Sequence, residues 1–280
     1  MSSVPTTAHA PLFPALARLY RPLEPYAYTL IRIATGAIFI PHGVQKLFLG
    51  GAQSAGTIGL GALELVGGLL LVLGILVRPS ALLLAIDALL VIAANIGKGW
   101  LWTRGGVQYH SFLLGMCLAL AIGGPGRYAV GYWPKLALDA TWKPLNDRLL
   151  SIGYALARVW FALLILPSGY EKMFEQGAAR IAAGNVLKTC FQPPMFWAWV
   201  VACLEFFGMI LLALGLGTRL VAFMMAIELG VIVVTIQAPN GWFWTARGTE
   251  FAFILFLVCL AFVLGGGGRY SLDRRLGREF

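Results

Sequence analysis

The sequence predicts an all-α integral membrane protein with eight transmembrane helices, arranged as two tandem four-helix bundles related by a pseudo-two-fold axis along the membrane normal. Its residues are 59% hydrophobic and only 12% charged, and its mean hydropathy is +0.81. This composition is typical of polytopic membrane proteins and excludes an ordinary soluble globular domain. Two further observations support this class. Eight apolar stretches are close to the length needed to cross a bilayer, about 20 residues, and the sequence contains an internal repeat.

The predicted spans follow one another with short connections. They cover residues 27–49, 58–77, 80–97, 108–123, 151–170, 196–217, 219–237 and 248–265. The third span is interrupted by Asp87, and the fourth follows a segment that contains Lys98 and Arg104. We therefore expect the ends of these two spans to be the least well defined.

The domain organisation follows from the spans. We expect a cytoplasmic N-terminal tail, a first four-helix unit, a cytoplasmic linker, a second four-helix unit and a cytoplasmic C-terminal tail. These five parts cover residues 1–26, 27–128, 129–150, 151–273 and 274–280.

The distribution of basic residues predicts the orientation. With the N-terminus inside, twelve of the 21 Lys and Arg residues lie on the cytoplasmic side and seven on the opposite side, as the positive-inside rule requires. Both termini are then cytoplasmic, and the membrane is expected to be the bacterial cytoplasmic (inner) membrane. The net charge of +9 reflects this bias and attraction to anionic lipids, so nucleic acid is not an expected partner.

The second half of the chain repeats the first in register. Residues 99–128 and 241–270 align without a gap and share 14 of 30 positions, including Trp, Thr, Cys and Arg. Residues 32–48 match 158–174, and 64–78 match 205–219. Because each unit has an even number of spans, a tandem duplication gives both halves the same orientation in the membrane.

Each half resembles a DoxX (DoxD-like) family domain. The pattern comprises an Arg, His-Gly-x-x-Lys, Glu-x-x-Gly-Gly, an aromatic loop followed by Gly-x-Glu, and a Gly-rich Arg-Tyr segment. The first half contributes Arg32, His42, Gly43, Lys46, Glu64, Gly67, Gly68 and 123–128; the second contributes Arg158, Gly169, Lys172, Glu205, 240–244, Gly248, Glu250 and 268–273. Two residues depart from the pattern, Ser168 in place of the histidine and Gln108 in place of the loop glutamate.

The resemblance implies a redox-linked function, because the family is associated with membrane redox complexes. It favours a subunit of a quinone-reactive complex that binds quinone or a small anionic substrate at its outer face. If the protein is an enzyme, it is then part of a quinone-linked oxidoreductase, as in thiosulfate:quinone oxidoreductase. A non-catalytic assembly or anchoring subunit of a larger membrane complex and a small-molecule transporter remain as alternatives.

The expected partners are the lipid bilayer, a quinone and a partner protein that carries the redox cofactor or a larger membrane complex. The sequence has no flavin, nicotinamide, haem or iron–sulfur signature, so we expect no covalently bound cofactor and no more than a bound quinone. His42 and His110 lack an accompanying Cys/His cluster and do not indicate a metal site.

Charged residues within the predicted spans are the main site candidates, because an unpaired charge in the bilayer is costly. Lys46 lies one helical turn after His42, and Glu64 lies near the same end of the next span. We expect a Lys46–Glu64 ion pair and a matching Lys172–Glu205 pair. Such pairs either fix neighbouring helices to one another or line a polar pocket for a substrate.

The stretch GWLWTRGGVQYH, residues 99–110, and its repeat lie at the same end of the spans. Their tryptophans fit an interfacial aromatic belt, but the accompanying cations and amide or acid side chains also suit a quinone headgroup or a small oxyanion. The candidate binding residues are His42, Lys46, Glu64, Trp100, Trp102, Arg104, Gln108, His110, Lys172, Glu205, Trp242, Trp244, Arg247 and Glu250. No catalytic residue can be assigned.

Two further acids, Asp87 and Glu228, occupy matching positions in the middle of their predicted spans. They suit either a proton relay or ion pairs with Arg32 and Arg158.

Overall fold

A computed structural model of the chain describes residues 10–11, 14–49, 54–130 and 139–279. The described residues are almost entirely helical. The first repeat contains α2 (Ala27–Val44), α3 (Ala55–Leu73), α4 (Val77–Asn95) and α5 (Gln108–Gly123), after a short α1 (Pro14–Tyr20). The second contains α6 (Asp139–Tyr170), α7 (Ala178–Ala182), α8 (Asn185–Cys190), α9 (Pro194–Cys203), α10 (Met209–Leu214), α11 (Thr218–Ile232), α12 (Glu250–Gly265) and α13 (Leu272–Arg275).

Five helical segments among the described residues are long and apolar enough to cross a membrane. They are Ala55–Leu73, Val77–Lys98, Pro144–Gln176, Pro194–Leu214 and Thr218–Asn240, and α5 and α12 are shorter apolar helices. The all-α membrane class is thus confirmed.

Four segments continue a helix as π-helical turns, at Gln45–Leu49, Glu171–Gln176, Leu204–Gly208 and Val233–Gln237. Such turns are uncommon in proteins and occur frequently at functional sites. Here three of them carry charged residues predicted for the ion pairs, namely Lys46, Lys172 and Glu205.

The structure describes only parts of the predicted tail and linker. Of the predicted N-terminal tail, residues 1–9 and 12–13 lie outside the described residues, whereas Ala10–Pro11 pairs in parallel with Arg278–Glu279. Residues 131–138 of the linker also lie outside them, but α6 already begins at Asp139. With 32 residues, α6 is longer than a membrane crossing requires, and the segment apolar enough to cross a membrane begins at Pro144.

The two repeats interlock. Helix α5 of the first repeat packs on α6 of the second, and α12 of the second packs on α2 of the first. Residues such as Phe112, Phe161 and Phe262 are fully buried between these helices. A residue at the start of α12 can therefore contribute to a site built around α2.

Glycines allow the first two helices of each repeat to approach closely. A Cβ on Gly43 of α2 would lie 2.4 Å from the backbone nitrogen of Leu65 in α3, and one on the matching Gly169 would lie 2.5 Å from the carbonyl oxygen of Glu205. Small residues at such contacts are a common means of packing helices in membranes. The close approach places the Lys and Glu side chains of each repeat within reach of one another.

Candidate functional site

A cluster of three polar side chains joins the two repeats at one end of the bundle. The carboxyl oxygen Oε1 of Glu250, the first residue of α12, accepts a hydrogen bond from the Tyr109 hydroxyl at 2.6 Å and lies 2.5 Å from Nε2 of His42. The same histidine nitrogen lies 3.1 Å from the Tyr109 oxygen. The Glu250 side chain is completely buried, whereas 15% of the His42 side chain is exposed. We call these three residues the His42 cluster, and the end of the bundle that contains it the His42 end.

The loop before α12 fixes the position of Glu250. Its second carboxyl oxygen accepts a hydrogen bond from the backbone N–H of Trp244 at 2.9 Å, so that both oxygens have partners. This loop contains a short 3-10 turn at Trp244–Ala246, which turns the chain into α12. Because each oxygen of Glu250 accepts a hydrogen bond, the buried carboxylate is compensated.

Flat aromatic surfaces surround the His42 cluster. The Trp244 ring stacks on Tyr109 with centroids 5.2 Å apart and planes inclined by 19°. His110 presents its edge to both rings, at 5.2 Å from Trp244 and 5.1 Å from Tyr109. Planar faces and hydrogen-bonding groups thus occur side by side.

A cavity of about 410 Å³ opens beside the cluster, and we call it the first cavity. Its lining includes His42, Lys46, Glu64, Asp87, Asn95, Lys98, Tyr109, His110, Trp244 and Thr245. The last two residues come from the second repeat. The first cavity is therefore formed by both repeats together, which the sequence analysis did not anticipate.

Both predicted Lys–Glu pairs are present. Lys46 Nζ donates a hydrogen bond to Glu64 Oε1 at 2.6 Å, with 30% of the lysine side chain and 7% of the glutamate side chain exposed. Lys172 Nζ donates to Glu205 Oε1 in the same way, with 27% and 7% exposed. Each pair joins the π-helical turn that ends the first helix of a repeat to the second helix of that repeat.

The suggested pairing of Asp87 and Glu228 with the buried arginines is wrong. Asp87 lines the first cavity and contacts Glu64, and Glu228 contacts Glu205. Arg32 instead donates to the carbonyl oxygens of Leu71, Val72 and Tyr128, at the opposite end of the bundle.

Arg158 has the same role in the second repeat. It donates to the carbonyl oxygens of Leu212, Ala213 and Tyr270. The carbonyl oxygens of Leu71 and Leu212 also accept the backbone N–H groups of Gly74 and Gly215 at the ends of α3 and α10, and the guanidinium groups add a charged donor at each of these helix ends.

The place that matches the His42 cluster by the repeat, also formed by both repeats, lacks its chemistry. At the position that matches Glu250, the Gln108 amide donates to Ser168 Oγ and to the Leu164 carbonyl oxygen, both at 3.1 Å. The side-chain oxygen of Gln108 accepts a hydrogen bond from the backbone N–H of Trp102 at 3.3 Å. Glu250 accepts one from the backbone N–H of Trp244 in the same way. Phe251 and Ala252 occupy the positions that match Tyr109 and His110. The geometry is thus repeated, but its titratable groups are replaced.

Several candidates lie apart from the first cavity. Trp100 and Arg104 line a second cavity of about 590 Å³, where Arg104 pairs with Glu171 at 2.8 Å. Trp102 packs edge-on against Phe251 with centroids 5.6 Å apart. The GWLWTRGGVQYH stretch therefore divides between two places, and only its last two residues reach the His42 cluster.

The second tryptophan loop divides in a similar way. Trp242 is 36% exposed and packs edge-on against Phe253, and Arg247 donates to the Thr103 carbonyl oxygen at 3.2 Å. Of this loop, Trp244 and Thr245 line the first cavity. Sequence reasoning missed Tyr109, since an aromatic residue at a predicted membrane border fits an anchoring belt equally well.

No group of three or more His, Cys, Asp or Glu side chains suited to a metal ion occurs among the residues that the structure describes.

The comparison with known proteins agrees with the repeat and with the helical membrane fold. No curated protein and no solved structure matches the chain. The model of the family described as DoxX matches residues 27–97 and 153–238, which is more than half of the chain and includes one segment in each repeat. The chain therefore belongs to the DoxX family.

Proposed function

We propose that this protein is the membrane subunit of a redox-linked, quinone-reactive complex and that it binds one quinone headgroup in the first cavity. The observation that carries the proposal is the His42 cluster beside the Trp244 and His110 rings. A quinone headgroup is planar and carries two carbonyl oxygens, so it suits a site that combines aromatic faces with hydrogen-bond donors.

The charges of the cavity favour a neutral ligand over an oxyanion. Lys46 is already paired with Glu64, and Asp87 lines the same space. A small anion there would face the oxygens of two carboxyl groups, and the remaining lysine of the lining, Lys98, is exposed to solvent. A quinone, which carries no charge, avoids this repulsion.

The residues at the place that matches the His42 cluster by the repeat support one site per chain. Ser168, Gln108 and Phe251 replace the histidine, glutamate and tyrosine of the His42 cluster. They keep shape and some hydrogen bonds but have no group that exchanges a proton near neutral pH. The second repeat then acts as a scaffold that contributes Glu250 and Trp244 to the first site.

The proposed chemistry needs a partner. A quinone becomes a quinol by taking up two electrons and two protons, and the electrons would come from a reduced flavin, haem or iron–sulfur cofactor on a partner protein. His42, Tyr109 and Glu250 lie in hydrogen-bonding contact, which suits them to hand protons to the quinone oxygens. Residues of this chain would bind, orient and protonate the quinone, and the partner would supply the electrons.

The proposal includes the membrane arrangement. The chain would cross the bacterial inner membrane eight times, with the repeats related by a pseudo-two-fold axis along the membrane normal and both termini in the cytoplasm. Matched contacts at Glu250–His42 and Gln108–Ser168 support the axis, and the excess of basic residues on one side supports the orientation. The His42 end then faces outward.

The experiment is equilibrium binding of a radiolabelled short-chain quinone to the purified protein in detergent. We expect one quinone per chain. His42→Ser and Tyr109→Phe install the residues found at the matching positions of the second repeat, and each should raise Kd roughly tenfold by removing one hydrogen-bonding group. The matched changes Ser168→Ala and Trp102→Ala should leave Kd unchanged.

Three results would contradict the proposal. Absence of quinone binding together with a stably co-purifying membrane complex would favour an assembly subunit. Competition by thiosulfate would favour a small anionic substrate. Equal loss of affinity on changing His42 and Ser168 would show that the site is not confined to the first cavity.

A further inference from the structure

Each repeat contains a second acidic side chain that the Lys–Glu pair does not neutralise. In the first repeat this is Asp87 on α4, which contacts Glu64; in the second it is Glu228 on α11, which contacts Glu205. Asp87 is 3% exposed, and Glu64 and Glu205 are each 5% exposed. Two carboxyl groups thus share one lysine in each repeat.

Carboxyl oxygens of both acids lack a donor in each repeat. Among the described residues, Glu64 Oε2 and Asp87 Oδ1 are buried without a hydrogen-bond partner, and so are Glu205 Oε2 and both carboxyl oxygens of Glu228. Two acceptors that face each other cannot form a hydrogen bond unless one carries a proton. Both repeats thus contain buried acid pairs with oxygens that lack a donor.

The neighbouring groups do not supply the missing positive charge. Lys46 and His42 face Asp87 from the end of α2, and each of them is bonded to a glutamate. The thiol of Cys117 faces it from α5. Lys98 also lines the first cavity, but it is exposed and forms no ion pair with Asp87 among the described residues. With both carboxyls ionised, the Lys46–Glu64–Asp87 group would carry a net negative charge where water is scarce, which is unfavourable.

The second repeat has the same deficit. Lys172 faces Glu228 and is bonded to Glu205, and Cys259 faces it from α12. The adjacent Glu171 is paired with Arg104. Among the described residues, Lys172 is the one cation that faces Glu228.

We infer that each repeat holds one proton between its two buried carboxyl groups, at Glu64–Asp87 and at Glu205–Glu228, and that the proton of the first repeat exchanges through the first cavity. Because Lys46 and Lys172 already donate to Glu64 and Glu205, the proton resides on Asp87 and on Glu228. It gives the facing oxygens a donor and makes each group of two acids and one lysine neutral. Glu64 and Asp87 line the first cavity, whereas Glu205 and Glu228 line neither described cavity. The inference concerns the protein without quinone, so it does not depend on the proposed function.

The test is infrared spectroscopy of the purified protein at neutral pH, in which a protonated carboxyl group has its own carbonyl absorption. We expect this absorption in the wild-type protein. Isotope-labelled aspartate should shift part of it, Asp87→Asn should remove that part, and Glu228→Gln should remove the rest. Asp147→Asn, an aspartate in the first turns of α6, is the matched control and should remove none.

Transfer to deuterated water separates the two sites. The aspartate component should shift quickly because Asp87 lines the first cavity, and the component lost in Glu228→Gln should shift much more slowly. A wild-type spectrum without a protonated carboxyl absorption, or one that isotope-labelled aspartate does not shift, would overturn the proton at Glu64–Asp87. These two measurements need no variant, so misfolding cannot obscure them. Equal exchange rates would overturn access through the first cavity.

Discussion

Replacing Lys46 by methionine isolates the contribution of the Lys46–Glu64 pair to stability. An exposed ion pair contributes about 0 to 1 kcal/mol, and removing one partner of a buried pair costs about 3 to 5 kcal/mol. The Lys46 side chain is 30% exposed and that of Glu64 is 7% exposed, so the pair lies closer to the buried limit. We expect Lys46→Met to lower the free energy of unfolding by about 3 kcal/mol, because it leaves the Glu64 charge without its partner.

A double-mutant cycle separates the pair from packing effects. Glu64→Gln should cost about 1 kcal/mol, since the lysine that remains can reach the first cavity, and the double variant should cost about 2 kcal/mol because it leaves neither of the two charges unpaired. The coupling energy is then about 2 kcal/mol. The same cycle at Lys172 and Glu205 should give a similar value, as their side chains are 27% and 7% exposed.

The assay is reversible unfolding in mixed micelles of a mild detergent and dodecyl sulfate, followed by circular dichroism. Lys188→Met, at an exposed lysine of α8, is the control and should change stability by no more than about 0.5 kcal/mol. A coupling energy below about 0.5 kcal/mol between Lys46 and Glu64 would refute a stabilising ion pair, because independent sites deviate from additivity by about that much.

The remaining predictions use the same unfolding assay. Arg158→Gln should lower stability by about 3 kcal/mol or more, because carbonyl oxygens at the end of α10 lose a buried, charged donor; an unchanged transition would contradict this. Gly115→Ala should destabilise by about 1 to 3 kcal/mol, since its Cβ would lie 1.9 Å from the Trp160 ring. In Gly59→Ala the new Cβ meets no atom within 4 Å, and the change should stabilise α3 by up to about 1 kcal/mol. Equal effects of Gly115→Ala and Gly59→Ala would be inconsistent with the contact between Gly115 and Trp160. Asp273→Ala should cost about 1 kcal/mol, because its oxygens accept the first backbone N–H groups of α11, and a loss no larger than that of Lys188→Met would argue against this cap.

The sequence located much of the candidate site through its repeat. Lys46 and Glu64 were expected to pair because their positions recur at Lys172 and Glu205, and both pairs are present. The helix starts at Gln108 and Glu250 were likewise visible as matched polar residues at the borders of apolar stretches. Charged residues are rare enough in apolar spans that their recurrence is informative.

What the sequence by itself determined is the class, the repeat and the pairs formed within one repeat, because hydropathy and spacing describe neighbouring helices of the same unit. It did not determine that α12 packs on α2 and α5 on α6, since contacts between repeats depend on how two complete units pack together. That packing alone brings Glu250 to His42 and Trp244 to Tyr109, and it sends Arg104 to Glu171. Within each repeat, the tertiary structure also places Asp87 and Glu228 beside other carboxyl groups and away from the buried arginines. The tertiary structure therefore decided which predicted residues share a site, for the physical reason that the cavity walls come from helices far apart in the chain.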